Sequence, residues 1–222
     1  MRWIRSFYCL LLTVAPLVAQ TEGPSTSKKS GHGKPALIST SELAGFDALP
    51  EDRKKLIEQA IRVARESGWL PYQFGGSSPR DGGFDCSGAM YFVMQKSGLK
   101  PPRSSAEQYE WVKAAGRFHS VPESVRDTGH PSLAALHPGD LLFWTGTYEP
   151  TDGRKTNITH VALYLGMEKK DGHHVMINAT DGRSYRGKQA NGYGVYDFRL
   201  PKEGKKSRFI GYGTPPGIAP KL

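Results

Sequence analysis

One thiol, one strand-borne histidine and one buried-looking amide have the types and order that nucleophilic acyl transfer needs. The thiol is Cys86, in the run Gly83-Phe84-Asp85-Cys86-Ser87-Gly88. The chain has two cysteines, and the other, Cys9, lies in an N-terminal apolar stretch with the character of an export signal. Once that stretch is removed, Cys86 has no partner for an internal disulfide. A lone thiol in an exported protein is either inert and buried or chemically used. A thiol attacks as its thiolate. A helix N-terminus and a nearby imidazolium are the two devices that favour that form. Asp85 followed by an apolar, helix-like run supplies the first.

Seven histidines are available for the second. His32 lies in a polar linker. His119, His130 and His137 lie in or beside an irregular stretch, and His173 and His174 border a turn. His160 opens the apolar run Val161-Ala162-Leu163-Tyr164-Leu165, where a sheet would fix its side chain, so it is the candidate base. An imidazole also needs a group to set its tautomer. In the run from 174 to 179, His174, Met176 and Asn178 share one face. Asn178 is the polar residue in an otherwise apolar stretch, and its carbonyl could accept the Nδ1 proton of His160. His174 is the competitor for that role.

These residues must be held by a chain of 222 residues with a net charge of +9. Residues 1–19 read as a signal peptide, with Arg2 and Arg5 before an apolar core too short to span a membrane. Residues 20–50 read as a linker. It is rich in Ser, Thr, Gly, Lys and Pro up to residue 35 and transitional from 36 to 49. Residues 51–222 form the candidate catalytic domain, long enough to bury a core without staples. Leu56, Ile57, Ala60, Ile61 and Ala64 recur at helical spacing, and Gly68 closes that helix. A second helix starts near Cys86. A third follows a cap at Ser104 or Ser105. Residues 114–137 read as an inserted surface loop that could wall a substrate groove.

The period then changes to that of strands, near 140–144, 160–165, 174–179, 194–198 and 208–212. Helices followed by strands predict an α+β fold. Basic charge on an exported chain suits an acidic polymer such as the cell wall. The scattered Lys and Arg, with no zinc-finger or aromatic RNA-binding motif, argue against nucleic acid. No metal is expected, for want of His-Glu-x-x-His or paired cysteines. The absence of Gly-x-Ser-x-Gly argues against a serine hydrolase.

Six segments in order resemble the NlpC family of papain-like cell-wall cysteine peptidases. They are Pro71-Tyr72-Gln73-Phe74-Gly75-Gly76, Phe84-Asp85-Cys86-Ser87-Gly88, the segment from Pro102 to Gln108, the segment from Leu136 to Phe143, the segment from His160 to Gly166, and Met176-Ile177-Asn178-Ala179. The resemblance covers about residues 52–212. It implies N-terminal helices packed on a mainly antiparallel sheet of five to six strands. It also implies that Cys86 is the nucleophile, His160 the base and Asn178 the third member, where many members carry histidine. Tyr72 would line the site and aid the oxyanion. Asp85 and Ser87 would position the turn and the substrate. Arg80, Arg103 and Arg183 are candidate binders of substrate carboxylates.

The implied activity is hydrolysis of peptidoglycan stem peptides between the γ-carboxyl of D-glutamate and the diamino acid, with no cofactor. The implied setting is periplasmic or extracellular, and the implied state is a monomer without a membrane span after signal cleavage. The same triad would also serve an N-acetylmuramoyl amidase, a transpeptidase or a lipid-directed acyltransferase. A non-catalytic wall-binding module is the remaining reading.

Overall fold

The computed structural model describes residues 32–219. The expected signal peptide and the first part of the linker lie outside the described residues. Helix α1 spans Glu51–Glu66, with Glu51 and Asp52 in its first turn, where the helix dipole favours acids. A small hairpin, β1 (Ser77–Ser78) with β2 (Gly83–Phe84), leads into α2 (Cys86–Lys96). Helix α3 (Ser105–Ala114) is opened by a capping box between Ser104 and Glu107. Six strands follow: β3 (Phe118–Ser120), β4 (Leu141–Thr145), β5 (Ile158–Met167), β6 (His174–Tyr185), β7 (Lys188–Asp197) and β8 (Arg208–Gly213). They form one sheet in the order β3-β8-β4-β5-β6-β7, and every pairing is antiparallel. The fold is the expected α+β class, three helices against a six-stranded antiparallel sheet.

Alternation along β5 explains the layering. Val161, Leu163 and Leu165 join α1 and α2 in one apolar cluster. Ala162 and Tyr164 face the other way and join Leu142, Met176, Tyr196 and Phe198 in a second. A sheet buried on both faces needs a second cover. The segment expected as a groove-walling loop at 114–137 supplies part of it. Val121, Val125 and Leu133 of that segment are buried in the second cluster, and its β3 pairs with β8 at the sheet edge. None of its residues lines the groove beside His160 described below. Its polar composition hid three well-spaced apolar anchors.

The linker reading also changes over residues 36–49. Ile38, Leu43 and Phe46 are buried, Ala36 bridges Val195, and Leu43 bridges Glu168. Residues 36–49 therefore form a strap on the domain. Composition averaged over the stretch concealed the apolar side chains that hold it. At the other end of the site's support, Arg53 of α1 meets Asp140 at 3.0 Å, both nearly fully buried, and also donates to the Pro138 carbonyl and Thr214. Removing one partner of such a pair costs about 3–5 kcal/mol. The pair fixes α1 against the start of β4.

Candidate active site

The loop before Cys86 is built by close backbone approach. A Cβ on Gly83 would lie 2.1 Å from the Pro71 carbonyl oxygen, and one on Gly88 would lie 2.0 Å from that of Gly76. Only glycine fits at either place. The crossing lets Asp85 N–H reach the Gly76 carbonyl at 2.9 Å. Asp85 then caps α2, accepting from Gly88 N–H at 2.6 Å, Gly75 N–H at 3.0 Å and the Ser87 hydroxyl at 3.1 Å. Cys86 follows as the first residue of α2.

The Cys86 thiol is buried, with Sγ 3.9 Å from the Thr159 carbonyl oxygen of β5. Thr159 directly precedes His160, so the sulfur rests on the backbone that carries the histidine. Burial pushes the thiol up to about 11, and the Asp85 carboxylate adds to that. Backbone N–H groups of Val161 and Ser87 and the Arg103 charge act weakly in the opposite sense. The helix N-terminus was expected to favour the thiolate. Here desolvation, then the capping carboxylate, raise the thiol and outweigh the groups that favour the thiolate.

His160 is the third residue of β5 rather than its first. Its Nε2 lies 2.7 Å from the Asn178 side-chain amide on β6. The expected contact was to Nδ1; the structure uses Nε2 and leaves Nδ1 as the nitrogen free for chemistry. The amide nitrogen is nearest in this orientation, and Asn178 Oδ1 is buried without a partner. Turning the amide by half a revolution brings Oδ1 to accept from Nε2–H, which makes Nδ1 a lone-pair base. Burial, with the Arg183 charge adding, drives the His160 imidazole well below its ordinary range. Burial thus disfavours the charged form of both groups, and no hydrogen bond joins Cys86 to His160 among the described residues. His174 sits four residues from Asn178 along β6, about 13 Å away, with its Nδ1 2.6 Å from the Tyr164 hydroxyl. It takes no part in this site.

The remaining candidates divide clearly. Burial, then the thiol and Asp85, hold the Tyr72 phenol well above its ordinary value, so it stays protonated. Ser87 and Asp85 form the cap itself. Arg103, expected as a carboxylate binder, is committed inside the protein. Its guanidinium bonds Asp85 at 2.8 and 3.1 Å, Ser87 Oγ at 3.0 Å, and the carbonyls of Gly75 at 2.8 Å and Gly76 at 3.2 Å. It locks the nucleophile turn. Arg80 is exposed on the short turn Pro79–Asp81. The Arg183 guanidinium carbon lies over the Trp144 ring, 4.6 Å from its centroid.

Two residues escaped the sequence reading. Trp144 on β4 is the cross-strand neighbour of His160 and meets its ring edge-on at 5.5 Å. Tyr148 packs edge-on against exposed Phe74 at 6.3 Å. Burial raises its phenol, opposed by Arg154 and assisted by the Cys86 thiol. Both lie outside the six resembling segments or at their ends, and strand register is not readable from one sequence.

The sequence pattern of the family described as NlpC/P60 matches residues 68–196. This chain belongs to the NlpC/P60 family. The matched stretch contains Cys86, His160 and Asn178. The NlpC/P60 chain is 33% identical over 157 residues to a gamma-D-glutamyl-L-lysine dipeptidyl-peptidase of Bacillus subtilis, covering 70% of this chain and 43% of the relative. It is 35% identical over 98 residues to a gamma-DL-glutamyl hydrolase of the same organism, covering 44% and 18%. The chain thus spans less than half the length of these curated relatives. Among solved structures it is similar to the peptidoglycan hydrolase RipB of Mycobacterium tuberculosis, with a TM-score of 0.40, 25% identity and coverage of 79% and 72%.

Proposed function

We propose that this NlpC/P60 protein is an exported cysteine endopeptidase that hydrolyses peptidoglycan stem peptides at the bond between the γ-carboxyl of D-glutamate and the diamino acid. The observation that carries the reading is the His160–Asn178 bond at 2.7 Å. It pins Nε2 and frees Nδ1 on the strand that the thiol touches. The names of the two Bacillus relatives support the choice of bond. The apolar leader and the basic charge support an exported, wall-associated enzyme, periplasmic or extracellular. Among the described residues no helix is long and apolar enough to cross a membrane.

In the proposed mechanism, Cys86 Sγ attacks the γ-carbonyl carbon while His160 Nδ1 takes the thiol proton. The carbonyl electron pair moves to oxygen, where the Tyr72 hydroxyl donates to the oxyanion. Nδ1–H then protonates the leaving amine as the C–N bond breaks, giving a thioester. Water attacks that thioester with its proton passing to Nδ1, and collapse releases the acid and returns the thiol. Asn178 accepts from Nε2–H throughout and holds the tautomer.

Incubation with defined muropeptides followed by mass spectrometry tests the reading. Release of a fragment ending in γ-D-glutamate, lost in Cys86→Ala with the fold intact by circular dichroism, is expected. Cleavage at the lactyl amide would replace the reading with an amidase. Absence of any product would replace it with a wall-binding module.

A further inference from the structure

A groove of about 550 Å³ opens beside His160 and is lined by Trp144, Thr147, Asp181, Arg183 and Arg199, among others. Cys86 does not line it. In a cysteine peptidase the base must reach the leaving nitrogen, so the side of the site that holds the imidazole receives the leaving-amine half of the substrate. On the peptidase reading above, that half begins with the diamino acid.

The groove is lined by one carboxylate, Asp181, and by Arg183, Arg199, Lys205 and Lys206. One irregularity delivers the opposite pair Asp181 and Arg183. Strand β6 slips register against β7 between Asp181 and Ser184, and Gly182 there has φ 95°. A bulge of this kind re-aims the side chains around it. Arg183 consequently reaches across β5 and lies on the Trp144 face, 4.6 Å from the ring centroid. A cation over a ring face is held by the ring without using up its N–H donors. No hydrogen bond or ion pair joins Arg183 to any of the described residues. The other groove arginine, Arg199, is held by Asp197 at 2.9 Å. Asp181, on the same bulge, is exposed and is met by His32 at 3.1 Å.

We propose that Arg183 and Asp181 form a subsite for the distal ammonium–carboxylate head of a diaminopimelate-type residue, discriminating against lysine at that position. A zwitterionic head pairs its carboxylate with the guanidinium N–H donors and its ammonium with Asp181. Lysine offers only the ammonium, leaving Arg183 desolvated and unpaired. The ring-held guanidinium reduces the ordering cost of binding.

The test titrates the Cys86→Ala chain with two synthetic peptides, L-Ala-γ-D-Glu-meso-diaminopimelate-D-Ala and its L-lysine counterpart. The diaminopimelate peptide is expected to bind more tightly by roughly ten- to a hundredfold, the range of one charge-assisted pair. Adding Arg183→Gln collapses that ratio towards unity. Arg183→Lys, which keeps charge but loses the planar fork, retains part of it. Lys188→Gln, a charge change at the hairpin tip outside the groove, leaves it unaltered. Equal affinities in the parent, no binding of either peptide, or a ratio that survives Arg183→Gln would each overturn the subsite. Hydrolysis of the two peptides by the native chain is read separately. Binding selectivity without product from either would sink the peptidase reading and leave the subsite standing.

Discussion

Replacing Arg103 with methionine separates a clamp from a substrate binder. The guanidinium makes five hydrogen-bond contacts within the nucleophile turn, two of them to Asp85. Methionine keeps much of the stem and removes all five. Asp85 would still accept from Gly88 N–H, Gly75 N–H and Ser87, so its carboxylate is weakened rather than orphaned. The Arg103 side chain is 35% exposed, and water replaces part of what is lost. Hydrogen bonds to charged groups are worth about 1.5–3 kcal/mol each when unscreened, and exposed ion pairs far less. The balance is about 2–3 kcal/mol of stability. For a domain of this size that corresponds to a drop in Tm of roughly 5–10 °C. Urea unfolding of Arg103→Met, read by tryptophan fluorescence, measures it, with Arg80→Met as the exposed comparison. Alkylation of Cys86 by iodoacetamide gives a second reading. Arg103 opposes the upward push on the thiol, so the variant should react more slowly at fixed pH. Native stability with a raised KM alone would refute the clamp and restore Arg103 as a substrate contact.

Burial places the Cys86 thiol at about 11, so its alkylation rate should climb through pH 9 without levelling. A plateau near pH 8.5 in stopped-flow alkylation would contradict this. His160 is held well below its ordinary range, so the unfolded chain takes up a proton near pH 6.5 that the native chain refuses. Native stability is therefore greatest above pH 6.5 and falls as pH drops below it. The slope contributed is up to about 1.4 kcal/mol per pH unit, and unfolding curves of His160→Gln between pH 6.5 and 5 should be flatter. Asn178→Ala should lower kcat by roughly ten- to a hundredfold through loss of imidazole orientation, whereas His174→Ala leaves it near the native value. The reverse order in steady-state kinetics would move the third role to His174.

Local chemistry was legible where the chain itself writes it. Asp85 before an apolar run announced the start of α2, and Ser104 or Ser105 announced the cap of α3. His160 and Asn178 stood out because each is polar within an apolar strand. What sequence could not supply was register. Trp144 meets His160 because β4 and β5 pair Trp144 with His160, and no local pattern fixes that pairing. Arg103 and Arg183 looked alike as free cations. One is consumed by a turn 16 to 18 residues upstream, and the other is swung by a bulge onto a strand that begins about forty residues earlier. Both assignments depend on contacts between distant segments.

The burial of Cys86 and His160 bears on the proposed mechanism. Separating a thiolate from an imidazolium in a dry pocket is costly before the substrate arrives. The same dryness strengthens every donor that meets charge developing during attack. With Tyr72 fixed as a neutral donor and Asn178 fixing the imidazole, charge need form only as the carbonyl is attacked. In the proposed mechanism, proton transfer from sulfur to Nδ1 would then accompany C–S bond formation rather than precede it. That ordering would spare the buried thiol from standing as a reactive thiolate. It also assigns Arg183 a cost as well as a use. Its charge disfavours the imidazolium that must form, and a substrate carboxylate seated on its N–H donors would neutralise that charge as catalysis begins. Binding the correct diamino acid would then raise the basicity of His160, coupling recognition to proton transfer.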